Sequence, residues 1–352
     1  MPPPRILLRR LVCLALAPLV AACGPGVAAS PLSAPANHRG PAASPSAGIA
    51  VGDDRLQVLP GGIASFSLIA AVISGARRSV DVEMYEFGRR DLADALIAAH
   101  ARGVAVTVID DPTVDVTALT AARLRAAGID VLDYPVRAQM IDHVKLLEAD
   151  DDVAVIGGIN WGTGSAGNHD FDALVHGPVV GNLHRVFLRD LTTAGRQAAV
   201  PPPQPDRGIL VASTLPADEI RPLALQLIET AQSRIDLELY VLTDTGVVHA
   251  LERARARGVT IRLLLDPSQR PSDAAAAELR QAGVDVRIYR SHGEKLHAKA
   301  GIADGRRVLF GSCNWTRSGF LHNHELDIEI LDSPAVANAF EASVDADWSA
   351  AA

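Results

Sequence analysis

Apolar and polar residues alternate at two distant places in the chain with the same pattern. Residues 79–85 read Ser-Val-Asp-Val-Glu-Met-Tyr, and residues 234–240 read Arg-Ile-Asp-Leu-Glu-Leu-Tyr. A period of two is typical of a β-strand, because successive side chains point to opposite faces. The pattern therefore predicts a strand in each of two segments that start 155 residues apart.

Similar elements follow both strands. Each is followed by a helical stretch that opens near Asp91 or Asp244 and ends at Gly103 or Gly258, since glycine readily ends a helix. An apolar strand, an alanine-rich helix and a further strand come next in both halves. Alternating strands and helices predict an α/β fold in which each half has a β-sheet with helices on its faces.

The repeat defines the predicted domains. We expect the first domain over residues 51–198 and the second over residues 209–352, joined by a stiff proline-rich linker at residues 199–208. Two like units in one chain predict a pseudo-twofold arrangement. Equivalent ends of the two halves would then meet at the axis and form one cleft.

The first 50 residues have a different pattern. Arginines precede an apolar run from Leu11 to Val20, and small residues lead to Cys23. The run is shorter than the roughly 20 residues of a spanning helix, so residues 1–22 are predicted to be an export signal. The segment is typical of a bacterial lipoprotein, and we expect a lipid on Cys23 and a flexible tether over residues 23–50 of an extracytoplasmic, membrane-anchored protein. Secretion without a lipid is the alternative.

The composition argues against a protein that binds duplex nucleic acid. The chain has 33 basic and 41 acidic residues, and the predicted signal takes away three arginines and no acid. Only 4% of the residues are aromatic. Nucleic-acid-binding proteins usually present a basic face and often stack aromatic side chains on bases. The net charge alone does not exclude a local basic cleft.

The most specific feature is an H-x-K-x4-D motif that occurs twice. Both copies have an asparagine 17 positions after the histidine: His143, Lys145, Asp150 and Asn160 in the first half, and His297, Lys299, Asp304 and Asn314 in the second. In an extended segment the histidine and the lysine point to the same face, because they are two residues apart. The doubled motif predicts one site with two imidazoles, two ammonium groups and two amides.

This set of side chains is suited to a phosphodiester. Cations and amide donors hold the phosphate oxygens and stabilise the negative charge that develops on them. One imidazole attacks phosphorus while the other protonates the leaving oxygen. The second ring nitrogen of the nucleophile needs an acceptor that fixes the tautomer. Asp170 and Glu325, 27 and 28 residues after their respective histidines, are the candidates.

The duplicated motif, followed by Gly157-Gly158 or Gly311-Ser312, resembles the signature of the phospholipase D superfamily. The resemblance covers roughly residues 55 to 350. It implies two α-β-α domains related by a pseudo-twofold axis with one active site between them. It also implies a phosphohistidine intermediate, with no cofactor and no obligatory metal, and makes His143 the nucleophile and His297 the general acid.

The same resemblance assigns the other motif residues. It implies phosphate binding by both lysines and both asparagines, and a bracing role for Asp150 and Asp304. Gly158 and Ser312 are expected in the phosphate-binding loop, where the first half lacks a hydroxyl donor. Asp170, the shorter acid, is expected to reach its histidine less well than Glu325 does.

Three classes of function fit the sequence. The leading hypothesis is a phospholipase D-type hydrolase that removes phospholipid headgroups and leaves phosphatidate, because the export signal places the site near lipid. Phosphatidyl transfer to an alcohol, as in cardiolipin synthase-like members, is a close alternative, although those members commonly carry spanning helices. An extracytoplasmic nuclease is the runner-up. A surface binding lipoprotein with an inactive site is the third class.

Other residues match in the repeat without a clear role. His169 and His324 stand beside the predicted acids, but no cluster with metal-ligand spacing surrounds them in the sequence, and we expect no metal. Four residues lie on the polar faces of the first strands: Glu83, Tyr85, Glu238 and Tyr240. Each is expected either at the edge of the cleft or in contact with a covering helix or water. We expect a monomer, since each chain carries one complete site.

Overall fold

The strands of the protein form two large mixed sheets, one in each half. The computed structural model describes residues 48–137, 139–290 and 293–351. The predicted signal peptide, Cys23 and most of the predicted tether lie outside the described residues. None of the described helices combines the length and the apolarity that crossing a membrane requires.

The elements of the first half are β1 (Ile49–Val51), β2 (Asp54–Val58), α1 (Gly62–Gly75), β3 (Ser79–Met84), α2 (Arg90–Ala101), β4 (Ala105–Asp110), α3 (Asp115–Ala126), β5 (Asp130–Asp133), β6 (Lys145–Ala149), β7 (Val153–Gly157), β8 (Asn168–His169), β9 (Asp172–His176) and α4 (Pro178–Thr193). Those of the second half are β10 (Ile209–Ser213), α5 (Ile220–Thr230), β11 (Arg234–Leu239), α6 (Thr245–Ala256), β12 (Thr260–Leu265), α7 (Asp273–Gln281), β13 (Asp285–Ile288), β14 (Lys295–Leu296), β15 (Lys299–Ala303), β16 (Arg307–Gly311), α8 (Arg317–Leu321), β17 (Leu326–Ile330) and α9 (Pro334–Ala350).

The two sheets have matching strand orders. These are β1-β2-β9-β7-β6-β3-β4-β5 and β10-β17-β16-β15-β11-β12-β13. In each, the central strand, β3 or β11, pairs in parallel with β4 or β12 and antiparallel with the strand that begins at the motif lysine. The prediction of two similar α/β halves is confirmed, while the limits of the two domains stay a prediction.

Local sequence signals explain where the helices after the central strands begin and end. The side chain of Asp244 caps α6 by accepting a hydrogen bond from the amide of Val247. Beyond the last turns of α2 and α6, Gly103 has a φ of 91° and Gly258 a φ of 94°. Side chains with a Cβ rarely adopt this left-handed conformation, so glycine fits both helix ends as predicted.

The two sheets share one central core. Helices α1 to α3 pack on the outer face of the first sheet, and α5 to α7 pack on the outer face of the second. Helices α4 and α9 lie between the sheets, and α4 contacts β10 of the second sheet while α9 contacts β2 of the first. Because a single apolar cluster spans both inner faces, the edges that carry the two motifs are held together.

Candidate active site

Two short backbone contacts between the halves place the motif histidines. Strand β14 pairs in parallel with β8, and Asp142 forms a parallel bridge with His324. The amide of His297 donates to the carbonyl of His169 at 2.8 Å. The amide of His143 donates to the carbonyl of His324 at the same distance, 2.8 Å. The backbone of each motif histidine is therefore held by a hydrogen bond to the backbone of the opposite half.

Each histidine is hydrogen-bonded to the acid of the opposite half. Nδ1 of His143 lies 2.7 Å from Oε2 of Glu325, and Nδ1 of His297 lies 2.7 Å from Oδ1 of Asp170. The expectation that each acid serves the histidine of its own half is wrong, because the inter-half strand contacts bring each acid beside the other histidine. The expectation that Asp170 reaches less well is also wrong, since the two distances are equal. The bond to Glu325 leaves Nε2 of His143 for a substrate, whereas Nε2 of His297 lies 3.0 Å from the ammonium group of Lys299.

Burial sets the protonation of the two imidazoles. His143 and His297 are each 5% exposed. Burial and the charges of Lys145 and Lys299 lower the pKa of His143 well below its ordinary value. Burial also lowers the pKa of His297 to about 4, although Asp170 acts in the opposite direction. Both rings are therefore neutral near pH 7 before a substrate binds.

The two acids differ in charge state. Burial outweighs Lys145, Ser312 and the other nearby donors and raises the pKa of Glu325 to about 7. Burial also acts on Asp170, but the attraction and hydrogen bond of His297 outweigh it and lower the pKa of Asp170 to about 2. The site thus holds one permanent carboxylate and one carboxyl group that titrates near neutral pH.

The motif lysines lie beside their histidines. The ammonium groups of Lys145 and Lys299 donate to the carbonyls of His143 and His297 respectively. Burial lowers the pKa of Lys145 to about 7 and that of Lys299 to about 8, although the site's acids oppose the shift. The site brings together both predicted His-Lys pairs, and the charge of each lysine also lowers the pKa of the histidine in the opposite half.

Two tyrosines contact the imidazoles. The ring centres of Tyr85 and His143 are 4.9 Å apart, and those of Tyr240 and His297 are also 4.9 Å apart. The ammonium group of Lys295 lies 4.2 Å from the centre of the Tyr240 ring. Of the two alternatives for these tyrosines, a place at the site is therefore confirmed, and contact with covering helices alone is not.

The asparagines follow the ends of β7 and β16. The amide of Asn160 donates to Glu86 at 3.2 Å. Among the described residues, the buried Oδ1 atoms of Asn160 and Asn314 have no hydrogen-bond partner. Glu86 was not predicted, because its counterpart in the repeat is Val241 and the pattern therefore gave no signal.

Two buried aspartates fix the loops that carry the asparagines. Oδ1 of Asp172 accepts from the amide of Ile159, and Oδ1 of Asp327 accepts from the amide of Cys313, both at 3.0 Å. A Cβ at Gly157 would lie 2.2 Å from Oδ1 of Asp172, which explains the glycine. Sequence reasoning missed these aspartates, although both halves carry one at the same place in the repeat.

The donors of Gly158 and Ser312 have partners within the protein, and the phosphate-binding role of these residues stays a prediction. The amide of Gly158 donates to Phe171, and that of Ser312 donates to Leu326. The Ser312 hydroxyl donates to Oε2 of Glu325 at 2.7 Å. These groups are thus engaged within the protein. A Cβ at Gly158 would lie 2.6 Å from Oδ1 of Asp170, so the space of a side chain is taken by the acid itself.

The last residues of the motifs lie at turns away from the imidazoles. Asp150 stands between β6 and β7 and Asp304 between β15 and β16, with φ values of 58° and 53°. Their carboxylates accept backbone amide hydrogen bonds from the segments before the central strands: Arg77, Arg78 and Ser79 for Asp150, and Gln232, Ser233 and Arg234 for Asp304. They fasten the turns to the sheets.

Comparisons with known proteins agree with this geometry. A family model described as cardiolipin synthase, PLD-like domain, matches residues 69–191 and 224–348. The chain therefore belongs to this family of the phospholipase D superfamily, and its two halves each carry one of the matches.

Cardiolipin synthase A of Pseudomonas putida is 29% identical to the chain over 317 residues, which cover 80% of this chain and 65% of that protein. Cardiolipin synthase A of Pseudomonas aeruginosa is 28% identical over 334 residues, covering 84% of this chain and 67% of that protein. The chain thus spans about two thirds of the length of these curated relatives.

A solved structure shares the fold. The phosphatidylserine synthase of Haemophilus influenzae superposes with a TM-score of 0.64 at 13% identity, covering 82% of this chain and 85% of that one. At this identity the likeness concerns the fold alone. It agrees with the arrangement of two similar halves.

Proposed function

We propose that the protein is a phosphatidyltransferase of the cardiolipin synthase type, which moves a phosphatidyl group from one alcohol to another through a phosphohistidine. Membership of the family and the two histidine–acid pairs in one site support this proposal. Hydrolysis of the headgroup, the leading hypothesis from the sequence, uses the same first step and differs only in the acceptor.

In the first step His143 attacks phosphorus through Nε2. The N–P bond forms while the P–O bond to the headgroup breaks, and His297 gives its Nε2 proton to the leaving oxygen. The negative charge of the bound diester favours a protonated His297. Lys145 and Lys299 hold the phosphate oxygens and stabilise the charge that grows on them in the transition state.

In the second step the acceptor alcohol gives its proton to His297. The alcohol oxygen attacks phosphorus, the N–P bond breaks, and the new diester leaves with His143 restored. Glu325, bonded to Nδ1 of His143, stabilises the positive charge on the imidazole while it carries phosphorus. No atom or electron pair remains unassigned at the end of the cycle.

The burial of the reacting groups favours transfer to an alcohol over hydrolysis. Both histidines are 5% exposed, and Lys145 and Lys299 are 3% and 2% exposed. A phosphohistidine shielded in this way is protected from water until an alcohol has bound. The names of the relatives support the same acceptor class.

The test uses vesicles of phosphatidylglycerol with a primary alcohol such as butanol, and the chain without residues 1–22. We expect phosphatidylbutanol and, without added alcohol, a lipid with two phosphatidyl groups on one glycerol. Phosphatidate as the only product would instead establish the hydrolase. Cleavage of single-stranded DNA without any lipid product would establish the nuclease. His143→Ala serves as the control for background reaction in every assay.

Attachment to a membrane through Cys23 is also a proposal. Cys23→Ser should move the protein from the membrane fraction to the soluble fraction in a cell that lipidates exported proteins. The wild-type chain in the soluble fraction would contradict lipidation.

A further inference from the structure

A cluster of four buried polar side chains adjoins the His143–Glu325 pair. Its members, here the first cluster, come from β3, from the residue before His143, from α4 and from the residue before Glu325: Glu83, Asp142, Asp190 and His324. All four are 0% or 1% exposed. Ligand atoms of Glu83, Asp142 and His324 lie within 4.8 Å of one another, and Nε2 of His324 is 3.0 Å from Oδ2 of Asp190.

The first cluster has more acceptors than the protein satisfies. Among the described residues, neither oxygen of Glu83 and neither nitrogen of the His324 ring makes a hydrogen bond of sound geometry. The same holds for Oδ2 of Asp142 and Oδ2 of Asp190. Arg189 faces the other oxygen of Asp190, with Nε 3.9 Å from Oδ1. Such a set of carboxylates in a dry interior requires a positive charge or bound protons.

The pseudo-twofold provides a comparison within the same molecule. The second cluster consists of Glu238, Asp347 on α9 and His169, whose ring stacks on Tyr289 as His324 stacks on Tyr134. Here Nε2 of the histidine makes a hydrogen bond of 2.9 Å to Glu238, and Asp347 is 3.2 Å away. The third acid is missing, because Leu296 stands where the first cluster has Asp142.

The first cluster is therefore better suited to bind a metal ion than the second. It has one more carboxylate, it is completely buried, and Nε2 of its histidine lies 3.0 Å from Asp190 without a hydrogen bond of sound geometry among the described residues. One imidazole nitrogen with several carboxylate oxygens is a donor set that Mn²⁺ and Zn²⁺ accept. Ligand atoms about 2.1 Å from a tetrahedral ion lie about 3.4 Å apart, so the ligand atoms of Glu83, Asp142 and His324, which lie within 4.8 Å of one another, would move closer by up to about 1.4 Å.

We propose that Glu83, Asp142 and His324 bind one divalent cation, Mn²⁺ or Zn²⁺, between the two halves, with Asp190 beside His324. The ion joins β3 and the segment before β6 of the first half to His324 of the second. Two of its ligands directly precede the members of the His143–Glu325 pair. Its role is to position this pair, since all three ligands are buried.

The first test measures metal content and thermal stability of the mature chain. Purified protein is stripped with chelator, dialysed against MnCl₂ or ZnCl₂, and analysed by inductively coupled plasma mass spectrometry and by thermal melting. We expect about one ion per chain after dialysis with at least one of the two metals and a higher Tm than in the stripped protein. Less than a tenth of an ion per chain with both metals, and an unchanged Tm, would overturn the proposal and leave shared protons as the source of neutrality.

Matched variants locate the ion. Asp142→Leu gives the first cluster the composition of the second, and it should reduce the bound ion at least tenfold, as should Glu83→Gln. Glu238→Gln changes the equivalent buried acid of the second cluster and should keep the ion. Retention of the ion by both first-cluster variants would place it elsewhere and overturn the assignment. If Asp142→Leu does not fold, Glu83→Gln and the wild-type stoichiometry still decide the question.

Discussion

The two halves hold their histidines at the same distance but with acids of different charge. The pKa of Asp170 is about 2, so this acid is ionised throughout the working range. The pKa of Glu325 is about 7, so its charge changes near neutral pH. A permanent anion supports a protonated imidazole better than a half-protonated acid does. The geometry of the two pairs is therefore equal but their roles differ, with His297 suited to carry a proton and His143 suited to remain a nucleophile.

Substitution of the two histidines tests this division of roles and should have the largest effect. We expect His143→Ala and His297→Ala each to lower lipid turnover by about 10⁴-fold or more, because groups that act as a unit fail together. With a p-nitrophenyl phosphodiester, whose leaving group needs no proton, His297→Ala should recover about 10²-fold of the loss. His143→Ala should recover nothing. Recovery by His143→Ala instead would reverse the assignment.

Neutral replacements of the two acids should have unequal effects on activity. Asp170→Asn removes a full charge and should lower kcat/KM at pH 7 by about 10³-fold, less than the roughly 10⁴-fold loss seen when a catalytic histidine's acid partner is replaced by its amide. Glu325→Gln replaces an acid that is already partly neutral and should cost about 10²-fold or less. Steady-state kinetics on the same lipid vesicles measures both. A larger loss in Glu325→Gln would show that its carboxylate form carries the reaction.

Deprotonation of the two motif lysines should set the alkaline limb of the dependence of kcat/KM on pH. Their pKa values, about 7 for Lys145 and about 8 for Lys299, mean that the free enzyme loses positive charge as the pH rises through this window. We expect kcat/KM to fall above pH 8 by about tenfold per unit or more. Stability should change in the opposite sense, because a lysine with a lowered pKa favours the folded state increasingly as the pH rises toward its unfolded value. Lys299→Arg keeps its charge and should shift the limb upward; an unshifted limb would exclude Lys299 as its source.

The smallest expected effect is at Ser312. Ser312→Gly imposes the residue of the first half and removes one hydrogen bond to Glu325, so kcat/KM should fall by about three- to tenfold. The reciprocal Gly158→Ser should cost more, because its Cβ would meet Oδ1 of Asp170 at 2.6 Å. Thermal melting of both variants separates a change at the site from a general loss of stability. Equal small effects would mean that Asp170 moves aside without cost.

Periodicity and spacing were sufficient to predict the two halves and the two His-Lys pairs that meet between them. The alternation in β3 and β11 and the glycines after α2 and α6 are local signals, since they reflect the conformation of their own segment. The doubled motif likewise predicted both His-Lys pairs, because a shared site follows from a repeated one.

The partners across the halves could not be predicted in the same way. The contact between β8 and β14 is two residues long and carries no periodic pattern, yet it decides which acid meets which histidine. The engagement of Ser312 with Glu325 depends on that contact as well. Glu86 and Asp142 were not predicted, because their counterparts in the repeat are Val241 and Leu296.

The exchange of acids means that neither half contains a complete histidine–acid pair. A polypeptide with only one half would have to find a second molecule and would lose its partner on dilution. Covalent fusion through the linker fixes the stoichiometry at one to one and keeps the partner at an effective concentration on the order of millimolar. It also allows the copies to diverge, as Asp142 and Leu296 have done. The two halves of one chain thus pair as two different subunits would, and their pairing does not depend on the concentration of the protein.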